Sequence, residues 1–147
     1  MQPINVAVVG ATGAVGEVMI EVLESRDFPI DTLFPLASSR SAGSTVQFRG
    51  KRHTVQDLSD FDFAQTPIAL FSAGGSVSAE YAPAAAAAGC IVIDNTSHFR
   101  RDEDIPLVVA EVNPEALSGF RERGIIANPN CSTMQMLVAL KPIYDAV

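Results

Sequence analysis

The stretch Ile4-Asn5-Val6-Ala7-Val8-Val9-Gly10-Ala11-Thr12-Gly13-Ala14-Val15-Gly16 governs the reading of the whole chain. Its first six residues are mostly apolar and stop at a glycine, as expected of a short strand buried on both faces. After it Val15, Val18, Met19, Val22 and Leu23 recur at helical spacing, with Glu17, Glu21 and Glu24 on the opposite face. That predicts an amphipathic helix with the valines facing inward, ended by Phe28-Pro29. A glycine-rich turn between a buried strand and such a helix is the setting of a dinucleotide-binding loop. Gly10 permits the tight turn, Gly13 admits a pyrophosphate to the free N–H groups of the helix start, and Gly16 lets helix pack on strand. The competing reading is a glycine-rich turn that binds nothing. No Gly-Lys-Ser/Thr follows, which disfavours a nucleoside-triphosphate loop.

Outward from this unit, strands and helices alternate. Leu33–Ala37 reads as a second strand, with Pro35 weakening it or marking a bulge. Residues 46–48 and 53–55 flank Gly50-Lys51 as a hairpin. Ile68–Phe71, Cys90–Ile93, Leu107–Val109 and Ile125–Ala127 are further strands. Helices are expected from Ser78 to Ala88, where Pro83 must sit in the first turns, from Pro114 to Leu117 behind an Asn113 cap, and from just after Cys131. The pattern predicts an α/β fold: a Rossmann-like, doubly wound, mostly parallel sheet with helices on both faces. Val147 closes the chain in mid-pattern, so the expectation is the front part of a longer protein.

Composition narrows the functional classes. The 147 residues are 48% hydrophobic and 18% charged, too apolar for disorder and enough for one packed domain. A net charge of −7 disfavours nucleic acid, since the only compact basic groups are Arg49/Lys51/Arg52 and Arg100/Arg101. No apolar run spans a membrane and the N-terminus has no signal-peptide pattern. Two distant cysteines, without CxxC or zinc spacing, suggest a reducing, cytoplasmic setting and no metal.

The segment after the second strand is Ala37-Ser38-Ser39-Arg40-Ser41-Ala42-Gly43. It lacks the carboxylate that accepts from an NAD ribose, while Arg40 with Ser38 and Ser41 can hold a 2′-phosphate. NADP is therefore the favoured cofactor over a loop that binds nothing special. Cys131 follows Asn128-Pro129-Asn130 and precedes Ser132-Thr133, which can cap the helix behind it. A thiol at a helix start beside free N–H donors is set up for nucleophilic attack and for stabilising an oxyanion. The bland alternative is a small residue in a tight turn, which is also the reading for Cys90. Arg100, after another strand end, is a candidate anion ligand; an exposed arginine beside Asp102-Glu103-Asp104 is its rival. His98 receives no role.

Taken together, Gly10–Gly16, Leu36–Gly43 (LASSRSAG), Ala69–Gly75 (ALFSAGG), Val92–Arg100 (VIDNTSHFR), Val108–Pro114 and Asn128–Thr133 (NPNCST) resemble the bacterial aspartate-β-semialdehyde dehydrogenase family along the entire chain. The resemblance implies reversible, NADP-dependent interconversion of aspartyl β-phosphate with aspartate semialdehyde and phosphate, toward lysine, methionine, threonine and isoleucine. It implies that Cys131 forms an acyl thioester, that Asn130 contacts phosphate or substrate, and that Arg100 binds phosphate. Thr12, Gly13, Ala14 and Val15 would hold the pyrophosphate, Arg40 and Ser41 the 2′-phosphate, and Ser72, Ala73 and Gly74 the nicotinamide side. It further implies an NADP-binding domain over residues 1–130, with 131–147 leading into a catalytic and dimerisation part beyond Val147. A homodimer is expected of the longer protein, and no turnover from this piece alone. The rivals are N-acetyl-glutamyl-phosphate reductase and a non-catalytic dinucleotide-binding module. A short-chain dehydrogenase is disfavoured because Tyr81 is followed by Ala85, not lysine, four residues on.

Overall fold

A computed structural model describes residues 2–147. In chain order it contains β1 (Ile4–Val9), α1 (Ala14–Ser25), β2 (Ile30–Ala37), β3 (Thr45–Phe48), β4 (Lys51–Thr54), β5 (Gln56–Asp57), β6 (Ile68–Phe71), α2 (Gly75–Ala87), β7 (Ile91–Asp94), β8 (Ile125–Ala127) and α3 (Cys131–Asp145), with short 3₁₀ turns between. Six strands form one sheet in the order β5-β2-β1-β6-β7-β8, and every pairing in it is parallel. β3 and β4 form a separate antiparallel hairpin. Its turn is Arg49-Gly50, both at positive φ (50° and 70°), the conformation a two-residue hairpin requires.

Alternation along β1 builds two cores. Val6 and Val8 face α1 and the hairpin, packing with Ile20, Leu33 and Phe48. Ala7 and Val9 face the other way, with Ala69, Phe71 and Val92, against Ala82 and Ala85 of α2. The small side chains of Ala82 and Ala85 thus let α2 pack closely on the sheet, and the helices do cover both faces.

Several local expectations are corrected. α1 does not bury its valines: Val15, Val18 and Val22 are 47%, 53% and 43% exposed, while Gly16 and Ile20 are buried. The cause is Gly16, where an added Cβ would lie 2.1 Å from the Gly10 carbonyl oxygen. That contact sets the line of approach through Gly16, Ile20 and Leu23. Pro35 sits fully buried in register with Val8, and the irregularity in the β1–β2 ladder lies near Ile4–Val6 instead. Leu36 gives its carbonyl to Gly10 and Ala11, so Pro35 turns its donor-less nitrogen away from β1. α2 begins at Gly75, which places Pro83 well inside the helix rather than in its first turns. Leu107–Val109 is not a strand, only a single bridge from Leu107 to Ala127. The Asn113 side chain accepts from Val109 N–H (2.8 Å) and donates to the Leu107 carbonyl (3.0 Å), supplying what a ladder would have. Asn113 therefore does not cap the turn at Pro114–Glu122, which is 3₁₀ and runs past Leu117.

Candidate active site at the strand ends

Because the sheet is wholly parallel, every strand ends on the same edge. Leu36, Val9, Phe71, Asp94 and Ala127 are successive Cα partners, one row across β2, β1, β6, β7 and β8. Each loop is tied to the strand beside it: Gly10 N–H donates to Leu36, Ser72 N–H to Val9, Asn95 N–H to Phe71 and Asn128 N–H to Asp94, all at 2.8–2.9 Å. The predicted site residues leave from this row.

At β1, Gly10 adopts φ 88° and approaches Ala73 so closely that a Cβ would meet it at 3.0–3.1 Å. Gly13 opens α1 with no side-chain cap, leaving the Ala14 and Val15 N–H groups pointing out of the helix start. A Cβ on Gly13 would meet only the Gly10 carbonyl, at 3.4 Å, so the space above it is open. A cleft of about 580 Å³ runs from here, lined by Gly10, Thr12, Gly13, Ser38, Arg40, Ser41, Ser72 and Ala73 among others. Open space above Gly13, Arg40 in the lining and the uncapped Ala14 and Val15 N–H groups beside the cleft fit a dinucleotide.

The same cleft contains Asp57, Glu80 and Tyr81, which the sequence reading missed. β2 does end without an acid, but β5 sets Asp57 directly beside Ala37. Two-residue β5 has no pattern to find; it becomes a strand only by pairing with β2. The Tyr81 hydroxyl is pushed above its usual range by desolvation, then by Glu80 and Asp57.

At the other end of the row, Cys131 is the first residue of α3 and is exposed. Asn130, not Ser132 or Thr133, caps that helix, its Oδ1 accepting from Ser132 N–H at 3.0 Å. The N–H groups of Cys131 and Thr133 have no acceptor among the described residues. Cys90 is its opposite: buried, with its thiol pushed up to about 12 by desolvation. Arg100 is half-buried, its Nε donating to the Asn128 carbonyl (2.8 Å) and Nη2 to the Asn95 carbonyl (3.1 Å). It therefore clamps the β7 and β8 loops together instead of pairing with the nearby acids; Asp104 pairs with Arg123. Beneath it lies Asp94, fully buried, accepting from Ser78 Oγ, Thr96 N–H and Thr96 Oγ1 at 2.8–3.0 Å. This carboxylate shapes the loop carrying Arg100, and only its place at a strand end hinted at it. Cys131, Asn130, Arg100, Ala14, Val15 and Gly74 share the edge but do not line the cleft itself.

Residues 5–120 match the family described as semialdehyde dehydrogenase, NAD binding domain. The chain belongs to this family. As a member of the semialdehyde dehydrogenase NAD-binding family, it is 66% identical over 145 residues to an aspartate-semialdehyde dehydrogenase of Shewanella sp. strain DB6705, covering 99% of this chain and 43% of that protein. A crystal structure of aspartate semialdehyde dehydrogenase II from Vibrio cholerae, complexed with ASA, superposes with a TM-score of 0.97 at 68% identity, covering 99% of this chain and 48% of that one. An aspartate semialdehyde dehydrogenase with NADP from Candida albicans superposes at 0.80 with 27% identity, covering 99% and 48%. The family member described here thus spans less than half the length of these relatives, matching their N-terminal part.

Proposed function

We propose that this chain is the nucleotide-binding, nucleophile-bearing part of an NADP-dependent, phosphorylating aspartate-semialdehyde dehydrogenase. The main support is the single row of strand ends from which both the glycine loop and Cys131 emerge. Three strand steps of roughly 4.8 Å separate β1 from β8, a distance an extended dinucleotide bridges. Ala14, Val15, Thr12 and Gly13 would hold the pyrophosphate, and Ser38, Arg40 and Ser41 the 2′-phosphate. Ser72, Ala73 and Gly74 would lie under the nicotinamide half. Bound NADPH supplies a hydride equivalent to the acyl carbon.

In the biosynthetic direction the Cys131 thiolate attacks the acyl carbon of aspartyl phosphate. The C–O bond to phosphate breaks and the phosphate leaves toward Arg100 and Asn130. The N–H groups of Cys131 and Thr133 are the donors for the oxyanion formed in that step. Reduction of the thioester and protonation of the sulfur release the semialdehyde and return the thiol. We assign residues 131–147 to the start of a catalytic and dimerising part in the longer protein. α3 supports this, since Met136, Val138, Leu140, Ile143 and Tyr144 are 45–77% exposed. The experiment compares this chain with a protein of the relatives' length, given NADP, phosphate and aspartate semialdehyde. The short chain is expected to bind NADP without turnover and the long one to turn over; full activity of the short chain would overturn the division. Acyl phosphate without reductant should leave one acyl group on Cys131 of the long protein, and none after Cys131→Ser.

A further inference from the structure

We propose that Asp57 reads the base of the dinucleotide, accepting the exocyclic amine of adenine and so selecting adenine over hypoxanthine dinucleotides. This rests on the dinucleotide reading above and extends it to the part of the cleft that reading left without a role.

The direction follows from the sheet order. From a pyrophosphate on the β1 loop, one half of a dinucleotide crosses β6, β7 and β8 toward Cys131, where hydride chemistry needs the nicotinamide. The adenosine half must then cross β2 and β5. The 2′-phosphate residues Ser38, Arg40 and Ser41 follow the end of β2. Asp57 is the Cα partner of Ala37 on β5, one strand further out, where the base follows the ribose. There Leu58, together with Val77 and Tyr81 one turn apart on α2, brings apolar surface into a lining that also holds Ser59 and Glu80. Flat apolar walls with a few placed polar groups are what a purine ring needs.

Asp57 is fixed for this task. Its Oδ1 accepts both Ser59 N–H (3.0 Å) and Ser59 Oγ (2.8 Å), which locks the carboxylate plane. Its Oδ2 has no hydrogen-bond partner among the described residues, and Asp57 is one of the residues lining the cleft. A carboxylate oxygen is acceptor-only, so it matches an amine and repels the carbonyl that replaces it in hypoxanthine. A mismatch of this kind discriminates because it leaves a polar group unpaired.

The test is calorimetric binding of NADP, NAD and nicotinamide hypoxanthine dinucleotide phosphate to the full 147-residue chain and its variants. Wild type is expected to prefer NADP over the hypoxanthine analogue by at least roughly tenfold. Asp57→Asn keeps an oxygen facing Ser59 N–H and turns an NH₂ donor into the cleft, so the preference should reverse. Asp57→Ala should bring the ratio near one, and in both variants the NADP-to-NAD ratio should stay at its wild-type value. A base preference absent in wild type, or unmoved by Asp57→Asn, overturns the proposal while leaving the dinucleotide reading intact. A changed NADP-to-NAD ratio with an unchanged base ratio overturns it in favour of a ribose contact. Failure of all three dinucleotides to bind wild type overturns both readings.

Discussion

Gly13 and Gly16 belong to one loop, yet the structure gives them separable jobs. An alanine Cβ at Gly16 would lie 2.1 Å from the Gly10 carbonyl oxygen, 2.8 Å from its carbon and 2.9 Å from Ala11 Cα. All three are backbone atoms that cannot swing aside. Raising 2.1 Å to the 3.4 Å of ordinary contact demands a retreat of about 1.3 Å by α1. That strips Ile20 and Leu23 of contact with β1, so Gly16→Ala should cost about 3 kcal/mol, the upper part of the overpacking range. For a chain of this size that is a Tm drop of roughly 6–12 °C. Gly13, at φ −88° and ψ 159°, has a backbone alanine adopts freely, and its Cβ would clear everything but one carbonyl at 3.4 Å. Gly13→Ala should therefore change stability by less than about 1 kcal/mol while its methyl blocks the pyrophosphate, weakening NADP binding by at least roughly tenfold. Thermal denaturation by circular dichroism and calorimetric titration with NADP separate the two. A Gly16→Ala protein with unchanged Tm, or a Gly13→Ala protein with unchanged NADP affinity, would refute the division of labour.

Other expectations follow from the same geometry. Burial pushes Cys90 from 9.0 to about 12, so the folded state holds the neutral thiol. That contribution is complete below the unfolded value and is lost as pH climbs from about 9 to 12, by up to about 4 kcal/mol; denaturant melts of wild type and Cys90→Ala should diverge in slope only in that window. Asp94→Ala orphans the buried Ser78 hydroxyl and the Thr96 turn, for a loss of about 2–4 kcal/mol in urea melts. Arg40→Ala should weaken NADP by roughly tenfold or more and leave NAD binding almost unchanged, as measured by calorimetry.

What could be read in advance was what local rules control. The buried strands at Ile4–Val9, Ile68–Phe71 and Ile125–Ala127, the Gly10 turn and the hairpin turn at Gly50 all follow from run length, backbone freedom and spacing. What failed was decided between elements. The inward face of α1 follows from one glycine's contact across to Gly10, not from where its valines fall. Leu107–Val109 has a strand's composition, but Asn113 takes the hydrogen bonds a strand would need. Asp57 enters the cleft only because β2 recruits a two-residue partner, and Asp94 organises Arg100's loop through contacts from α2. Cys131 and Asn130 lie where their sequence neighbourhood put them, at the head of a helix following a strand, though Asn130 rather than Ser132 or Thr133 provides the cap.

A dinucleotide seated on the Gly10–Gly16 loop, as proposed, reaches across the strand ends to Cys131. The most direct measurement is the alkylation rate of Cys131 at rising NADP concentration, with Cys90 as the internal control. Cys131 should be protected along a curve whose midpoint equals the calorimetric Kd, while Cys90 stays unreactive throughout. A Cys131 rate that is the same with and without saturating NADP would contradict it.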